Sequence, residues 1–176
     1  MMLILGCGLG LIQTTEAEAA VASALEQRTQ SFTIRLQGSV AEVTPLFGPV
    51  REAEWAPTWR PRFICPAVGE QREGVVFTTT NAKGKTRLWL LTVYDVKRGR
   101  VEYVLVTPGF TINQIKIQVN PDRTGQSKAT ITYRHSALAP EGNEEVATLD
   151  ADWAEQQRFH WERAINAVLT QRGMHD

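Results

Sequence analysis

The sequence feature that most constrains the fold is a stretch of alternating apolar and polar residues that runs from 74 to 139. Alternation with a period of two predicts strands that bury one face of a sheet. Four groups of turn residues interrupt the stretch, at 81–84, 97–99, 108–109 and 120–125. Because connections this short join antiparallel neighbours, the stretch predicts a meander of β-strands.

Local patterns predict the other elements of the first half. Ser39 is a favourable N-cap for a short helix at 41–47, which Gly48 and Pro49 end, and a second short helix is expected at 50–54. Over the whole chain, strands are expected at 31–37, 62–66, 74–80, 86–96, 100–107, 111–120 and 128–137.

A single long helix is predicted at the C-terminal end, from 144 to 171. Residues of an apolar stripe recur there at helical spacing: Trp153, Gln157, His160, Trp161, Ala164, Ile165 and Val168. A helix of this length spans about 40 Å, enough to cross a sheet. The predicted fold class is therefore α+β: a curved antiparallel sheet of about six or seven strands, two short helices and one long C-terminal helix, with room for a cavity between sheet and helix.

The first thirty residues are expected to precede the folded domain, which then spans 31–176. Residues 1–12 are apolar, and 17–19 read Ala-Glu-Ala, the small-x-small pattern of a signal-peptidase site. No basic residue precedes Arg28, so the positive region of a secretory signal is missing. Residues 1–30 are interpreted as a signal or a lead-in helix, and cytoplasmic and exported locations stay equally open. The apolar run is shorter than the roughly 20 residues of a membrane helix, so no stable membrane span is expected.

The charge balance argues against a polyanion-binding function. Nineteen basic and nineteen acidic residues give a net charge of zero, so no overall field attracts nucleic acid. Lys83, Lys85 and Arg87 form the densest basic group, but Gly84 between them predicts a solvated hairpin tip. We therefore expect no nucleic-acid partner.

No metal or cofactor motif occurs in the sequence. Cys7 and Cys65 have no His or Cys at ligand spacing, and Cys65 is expected to be a buried thiol beside Ile64. The glycines at 6, 8 and 10 lack the spacing of a dinucleotide-binding loop. The sequence motifs of serine hydrolases, zinc peptidases and P-loop NTPases are absent as well. We expect neither a metal nor a cofactor.

Strand alternation predicts which side chains face the concave side of the sheet. The inward residues are expected to be Val101, Tyr103, Leu105, Asn113, Ile115, Ile117, Val119, Ile131, Tyr133 and His135. Such a wall suits a ligand with a large apolar body and a few carbonyl or hydroxyl groups. Tyr103, Tyr133 and His135 are the candidates for catalytic acid–base work. Each also has a plain structural explanation, as a core residue with a satisfied polar atom.

A rigid loop with two tryptophans is expected beside this wall. Pro57 and Pro61 prevent regular structure around Trp55 and Trp59. Tryptophans on such a loop either pack under the C-terminal helix, which we expect for Trp55, or meet a ligand or partner. The complete set of candidate ligand-binding residues is Trp55, Trp59, Phe77, Tyr103, Leu105, Asn113, Ile115, Ile117, Ile131, Tyr133, His135, Trp153, Gln157 and His160.

Several local strings resemble one superfamily. They read Pro-Val-Arg-Glu-Ala-Glu-Trp at 49–55, Gly-Val-Val-Phe-Thr at 74–78, Trp-Leu-Leu-Thr-Val-Tyr-Asp at 89–95, Val-Glu-Tyr-Val at 101–104 and Trp-Glu-Arg-Ala-Ile-Asn at 161–166. Over 31–171, these strings and the order of elements are similar to the START-like superfamily, also called SRPBCC, which includes the birch-pollen allergen group and bacterial polyketide cyclases. The resemblance is to a bacterial branch without a defined function. It implies a helix-grip fold around a mainly apolar cavity.

Three functions remain open under this resemblance, because a fold does not fix a function. The favoured one is non-catalytic binding of a small hydrophobic ligand: a lipid, an isoprenoid, a polyketide or an aromatic compound. The first alternative is a polyketide cyclase or dehydratase that uses cavity tyrosines or histidine as general acid and base. The second is a co-chaperone-like module with a filled cavity and a protein-binding patch around Trp59. The oligomeric state is not predicted.

Overall fold

A seven-stranded antiparallel sheet forms the centre of the protein, whose computed structural model describes residues 24–174. The strands are β1 (Gln27–Leu36), β2 (Arg62–Cys65), β3 (Val76–Thr80), β4 (Thr86–Asp95), β5 (Arg100–Thr107), β6 (Thr111–Pro121) and β7 (Ser127–Ala137). Their order across the sheet is β1-β7-β6-β5-β4-β3-β2. Strands β2 to β7 form the predicted meander, and β1 returns to pair with β7.

The N-terminal end of the described chain enters the sheet early. Strand β1 starts at Gln27, not at residue 31, because Gln27 already pairs with Ser136 of β7. The apolar run 1–12 and Cys7 lie outside the described residues, so the expectations for them stay predictions, as does the domain boundary at residue 30. Between residues 24 and 174, no helix is long and apolar enough to cross a membrane.

Short helical segments follow β1, as predicted. Helix α1 (Val40–Val43) begins at Ser39, whose hydroxyl accepts from the Glu42 amide while the Glu42 carboxylate accepts from the Ser39 amide. This capping box satisfies amides that the first helical turn leaves open. Two 3₁₀ turns continue the chain, at Thr44–Phe47 and Arg51–Glu54.

The C-terminal helix is shorter than predicted. The chain first forms a 3₁₀ turn (Pro140–Gly142) and the short helix α2 (Asn143–Ala147), and only then helix α3 (Ala151–Gly173). Asp150 separates the two helices with an extended backbone, and its carboxylate accepts from the Trp153 amide at 2.8 Å. An N-cap of this kind starts a new helix. Helix α3 is therefore about 35 Å long.

Helix α3 packs mainly along edge strand β1 and does not cover the whole sheet. The Glu162 carboxylate accepts from the Arg35 amide at 2.9 Å. The Asn166 side chain accepts from the Gln37 amide at 2.8 Å and donates to the Arg35 carbonyl at 2.9 Å. These bonds fix the helix at one edge, and the inner face near β3 and β4 stays uncovered by α3.

The predicted inward orientation of the strand residues is confirmed by their burial. Val101, Tyr103 and Leu105 on β5 and Asn113 and Ile115 on β6 are all buried. The expectation of a buried thiol at position 65 is wrong, because Cys65 is exposed and its neighbour Ile64 is 52% exposed. Strand β2 is only four residues long and pairs with β3 alone, so nothing on its far side covers it.

Candidate functional site

A cavity of about 1020 Å³ lies over the part of the sheet that α3 leaves uncovered. The loop 52–60 forms one wall, the β3–β4 hairpin another, and helices α2 and α3 the third. Its lining residues are Glu52, Trp55, Ala56, Thr58, Trp59, Arg60, Thr79, Thr80, Asn81, Ala82, Lys83, Arg87, Trp89, Glu144, Glu145, Thr148, Gln157, His160 and Trp161. The volume is at the upper end of the range for small-molecule sites.

Four tryptophans supply the aromatic surface of the cavity. Trp55 of the loop lies 4.9 Å from Trp161 of α3, and Trp59 lies 5.3 Å from Trp89 of β4, between ring centroids. Two of the indole N–H groups on this surface are occupied: Trp55 donates to the Leu46 carbonyl at 2.7 Å, and Trp89 donates to the Thr79 hydroxyl at 2.9 Å. The ring surfaces, not the N–H groups, are therefore what these side chains offer to a ligand.

The loop that carries two of these tryptophans is held at both ends. The Trp59 indole donates to the Pro49 carbonyl at 2.7 Å. The Gln71 side chain accepts from the Arg51 amide at 2.7 Å and donates to the Tyr94 hydroxyl at 2.8 Å. Trp55 packs against α3, as the sequence predicted. The cavity wall is thus preformed by hydrogen bonds within the protein.

Glu52 contributes to this wall a carboxyl group that is shielded from water. No side chain or amide between residues 24 and 174 forms a hydrogen bond or ion pair with its carboxyl group. Burial raises the pKa of Glu52 to about 8. Burial, and then the charge of Glu52, raise the pKa of both Tyr103 and Tyr133.

Arg87 and Glu145 link the sheet to α2 at the other side of the cavity. Arg87 was expected at a solvated hairpin tip, but it faces inward from β4, and its Nη2 lies 3.3 Å from Glu145 Oε1. The side chains are only 30% and 19% exposed. Glu144 and Glu145, at the start of the C-terminal helix predicted from the sequence, both line the cavity.

Behind this ion pair lies a band of buried polar side chains on the inner face. The register places Thr107 opposite Thr111 and Asn113 opposite His135. Within residues 24–174 nothing hydrogen-bonds to Arg87 Nε, Thr107 Oγ1, Thr111 Oγ1, Asn113 Oδ1 or His135 Nδ1. Burial lowers the pKa of His135 to about 4, so the imidazole is neutral at physiological pH.

The structure brings together only part of the predicted ligand-binding set. Trp55, Trp59, Gln157 and His160 line the cavity. The other candidates lie behind its surface: Phe77, Tyr103, Leu105, Asn113, Ile115, Ile117, Ile131, Tyr133, His135 and Trp153. Their binding role stays a prediction.

The three candidate catalytic residues are placed in packed surroundings. The Tyr103 hydroxyl donates to the Phe47 carbonyl at 2.8 Å. The Tyr133 ring packs edge-on against Trp153, 5.0 Å between centroids, and His135 lies 5.9 Å from Tyr133. A catalytic role for these residues stays a prediction too.

Sequence reasoning missed Glu52, Arg87 and Trp89, although signals for two of them were present. The alternation of β4 puts Arg87, Trp89 and Leu91 on one face, and Leu91 is an obvious core residue. Spacing of three puts Arg51 and Glu54 together on one face of a helical turn, which leaves Glu52 on another. Nothing in the sequence shows that this other face borders a cavity.

Solved structures share this architecture. Norcoclaurine synthase from Thalictrum flavum superposes with a TM-score of 0.62 at 10% identity, covering 97% of this chain and 99% of that one. The Mll3558 protein from Rhizobium loti gives 0.59 at 13% identity, covering 82% of this chain and 99% of that one. Ara h 8.0201 gives 0.58 at 15% identity, with 82% and 99% covered. The chain has a START-like helix-grip fold.

This START-like fold confirms the fold class and the resemblance predicted from the sequence. No family model matches the chain, and no curated protein sequence matches it. At the identities given, the structural likeness shows the fold alone. The function therefore has to be argued from the cavity.

Proposed function

We propose that the protein binds a small hydrophobic molecule in the cavity between the sheet, the loop 52–60 and helix α3. The observation that carries the proposal is the cavity of about 1020 Å³ lined by four tryptophans. Of the ligand classes expected from the sequence, an aromatic compound or another flat apolar molecule fits best. Indole rings that offer their surfaces bind such molecules through apolar burial and ring–ring contacts of about 0.5 to 1.5 kcal/mol each.

The fold neighbours are compatible with a ligand of this kind. Norcoclaurine synthase from Thalictrum flavum has been solved in complex with dopamine and hydroxybenzaldehyde, at a TM-score of 0.62 and 11% identity to this chain. Those are two small aromatic molecules held by that protein. This supports a small aromatic ligand here and says nothing of a shared reaction.

Two adjacent glutamines on α3 offer a matched test. Gln157 lines the cavity and is half-buried, whereas Gln156 is exposed on the neighbouring face of the helix. Gln157→Trp adds bulk inside the cavity, and Gln156→Trp adds the same side chain outside. We expect the first substitution to weaken binding of a polarity-sensitive naphthalene dye at least tenfold and the second to leave it within twofold, in a fluorescence titration.

Organic extraction of the purified protein and mass spectrometry of the extract complete the test. A co-purifying apolar compound that the Gln157→Trp variant lacks would identify the ligand class. If the unsubstituted protein binds neither the dye nor any extracted compound, the ligand-binding proposal is wrong. The interaction-module alternative would then be favoured, and turnover of a bound compound would favour the cyclase or dehydratase alternative.

A further inference from the structure

Glu52 lies in the cavity wall without a compensating charge. The 3₁₀ turn Arg51–Glu54 explains why the Glu52 side chain lines the cavity. Arg51 and Glu54 pair with each other at 2.9 Å, and Arg172 of α3 also pairs with Glu54. The outer face of the turn is therefore charge-neutralised within the protein. The Glu52 backbone is fixed by its amide, which donates to the Gly48 carbonyl at 3.0 Å.

The cationic side chains around the cavity are engaged elsewhere or exposed. Arg87 is held by Glu145 at 3.3 Å. Arg60 is exposed and donates to the Trp59 carbonyl at 2.8 Å. Lys83 is exposed at the tip of the β3–β4 hairpin. Within the described chain, Glu52 thus remains a shielded acid in an aromatic cavity, a costly arrangement unless something outside the chain compensates it.

A metal ion is a poor candidate for this compensation. In residues 24–174 no group of three or more His, Cys, Asp or Glu side chains is close enough together to hold one. Hard cations need several oxygen ligands, and a single carboxylate cannot supply them. The tryptophans beside Glu52 instead favour a large, weakly hydrated cation, because indole rings attract positive charge to their faces.

We propose that the cavity binds an organic cation: an apolar or aromatic body with a substituted ammonium group that pairs with the Glu52 carboxylate while the body lies against the tryptophans. The proposal rests on the proposed function and specifies its ligand class. The ammonium group replaces the missing partner of Glu52, and the ring faces of Trp55 and Trp161 shield the pair from water. An ion pair shielded in this way is stronger than one at the surface.

The proposal has a definite pH signature. Because the pKa of Glu52 is about 8, most of the empty protein carries the neutral acid at pH 7. A cation binds the ionised form, so binding expels a proton, and affinity rises with pH until Glu52 is ionised. The titratable and charged groups that interact with this carboxyl or line the same cavity are Tyr103 on β5, Tyr133 on β7, Arg60 in the loop, Lys83 in the β3–β4 hairpin, Arg87 on β4, Glu144 and Glu145 on α2, and His160 on α3.

Two of these groups keep their protons over a suitable window, because burial holds the pKa of Tyr103 and Tyr133 well above the ordinary tyrosine value. The pKa of Glu52 is about 8. Its ionised fraction therefore rises about tenfold between pH 7 and pH 9, and a permanent cation should bind about tenfold more tightly at pH 9 than at pH 7.

The test uses three probes that share a phenethyl body and differ in the attached group. One carries trimethylammonium, one the uncharged tert-butyl isostere, and one a carboxylate. Binding to the whole protein is measured by isothermal titration calorimetry at pH 7, 8 and 9, in buffers of different ionisation enthalpy so that proton release is counted. The trimethylammonium probe should bind at least tenfold more tightly than its isostere at pH 9 and release close to one proton at pH 7.

Glu52→Gln and Glu73→Gln are the matched variants. Both replace one carboxyl group with an amide, but Glu73 is exposed in a loop outside the cavity. Glu52→Gln should abolish both the cation preference and its pH dependence while binding of the tert-butyl probe changes less than threefold. Glu73→Gln should reproduce the unsubstituted protein. Binding of the uncharged probe also shows that the Glu52→Gln variant is folded.

The possible outcomes distinguish a failure of this inference from a failure of the proposed ligand-binding function. If the tert-butyl probe binds as well as the trimethylammonium probe, the ligand-binding function stands and the cation inference is wrong. If affinity for an uncharged or anionic probe falls as the pH rises, Glu52 acts as a neutral hydrogen-bond donor, which also overturns the inference. If no probe binds at any pH, both proposals fail.

Discussion

Two aromatic clusters occupy the inner face of the sheet, and helix α3 covers only one of them. The closed cluster consists of Phe32 and Tyr133 on the sheet and Trp153 on α3 itself, with Tyr133 and Trp153 5.0 Å apart. The open cluster consists of Trp59 and Trp89, 5.3 Å apart, and faces the cavity. Both contain large rings in edge-to-face contact. Rings of the same kind thus lie in a packed core or border a cavity according to whether the helix covers them.

The position of the helix follows from its bonds to the edge strand. Glu162 and Asn166 hold α3 beside β1, on the side of the sheet that contains the closed cluster. Strands β3 and β4 lie at the opposite side of the sheet order. The cavity therefore results mainly from the position at which α3 is bonded to the sheet. The composition of the uncovered wall matters less.

The largest expected effect is the loss of a ring from the closed cluster. Phe32→Ala should lower the free energy of unfolding by about 3 to 5 kcal/mol, because Phe32 is almost fully buried and packs against Trp161 and Trp153. Phe63→Ala, beside the cavity side of the sheet, removes a half-buried ring and should cost about 1 to 2 kcal/mol. Urea unfolding followed by circular dichroism measures both. Equal losses would contradict the expectation that a ring covered by the helix contributes more stability than a ring the helix does not cover.

Next in size is the pH dependence that Glu52 confers on stability. Its folded pKa of about 8 lies above the ordinary value of 4.5, so the folded state keeps the proton that the unfolded state loses. The stability contributed by Glu52 is complete below pH 4.5 and is lost as the pH rises towards 8. The loss should reach about 2 to 4 kcal/mol, since the cavity gives the carboxyl some access to water.

His135 should act in the opposite direction. Its folded pKa of about 4 lies below the ordinary 6.5, so the stability it contributes is present above pH 6.5 and is lost as the pH falls towards 4. Unfolding measured from pH 4 to pH 9 therefore separates the two groups. Glu52→Gln should remove only the loss at rising pH, and His135→Gln only the loss at falling pH. If one of these variants removed the loss of stability at both low and high pH, the two groups would be coupled, which would contradict this assignment.

A smaller effect is expected from Trp59, and mainly on binding. Trp59→Leu should weaken binding of the naphthalene dye about tenfold, or about 1.4 kcal/mol, because one face of the cavity is removed. Trp153→Leu serves as the comparison within the closed cluster and should change stability more than binding. The dye titration measures the effect of each substitution on binding, and urea unfolding of the same samples measures its effect on stability. If Trp59→Leu changed stability more than binding and Trp153→Leu changed binding more than stability, the assignment of the two clusters would be wrong.

The smallest expected effect concerns the fastening of the helix. Asn166→Ala removes two solvent-exposed hydrogen bonds to the β1 edge and should lower the free energy of unfolding by about 1 kcal/mol. Amide exchange should become faster in β1 and stay unchanged in β4. Arg163→Ala, at an exposed position three residues earlier, is the control and should change neither. Faster exchange spread evenly over the sheet would indicate general loss of stability instead of release of one edge.

Much of the fold could be predicted because its signals are local. The alternation of 100–107 gave β5 with the same bounds, and Ser39 marked the first helix. Asp150 shows where local reasoning failed. The sequence predicts a single helix over 144–171, whereas the extended backbone of Asp150 separates two helices and caps the second. Short polar side chains are compatible with both roles, and the choice depends on where the buried Leu149 must lie.

The site was less predictable because it depends on what the helix does not cover. Inward-facing residues on β5, β6 and β7 were identified, but most of them lie behind the cavity surface. Glu52 could be recognised only once the loop, the hairpin and both C-terminal helices were in place. A carboxyl group becomes a site through its surroundings, and those are contributed by residues distant in the chain.

The hydrogen bonds that hold α3 beside β1 also affect the tendency of the molecule to aggregate. An uncovered edge strand offers amides and carbonyls to which another strand can add, the usual beginning of aggregation. At the β1 edge, Glu162 and Asn166 already occupy such groups of Arg35 and Gln37. At the other edge, β2 is four residues long and Pro61 and Pro66 flank it. In the described part of the chain, the bonds that position α3 beside the cavity thus also protect the β1 edge against edge-to-edge growth.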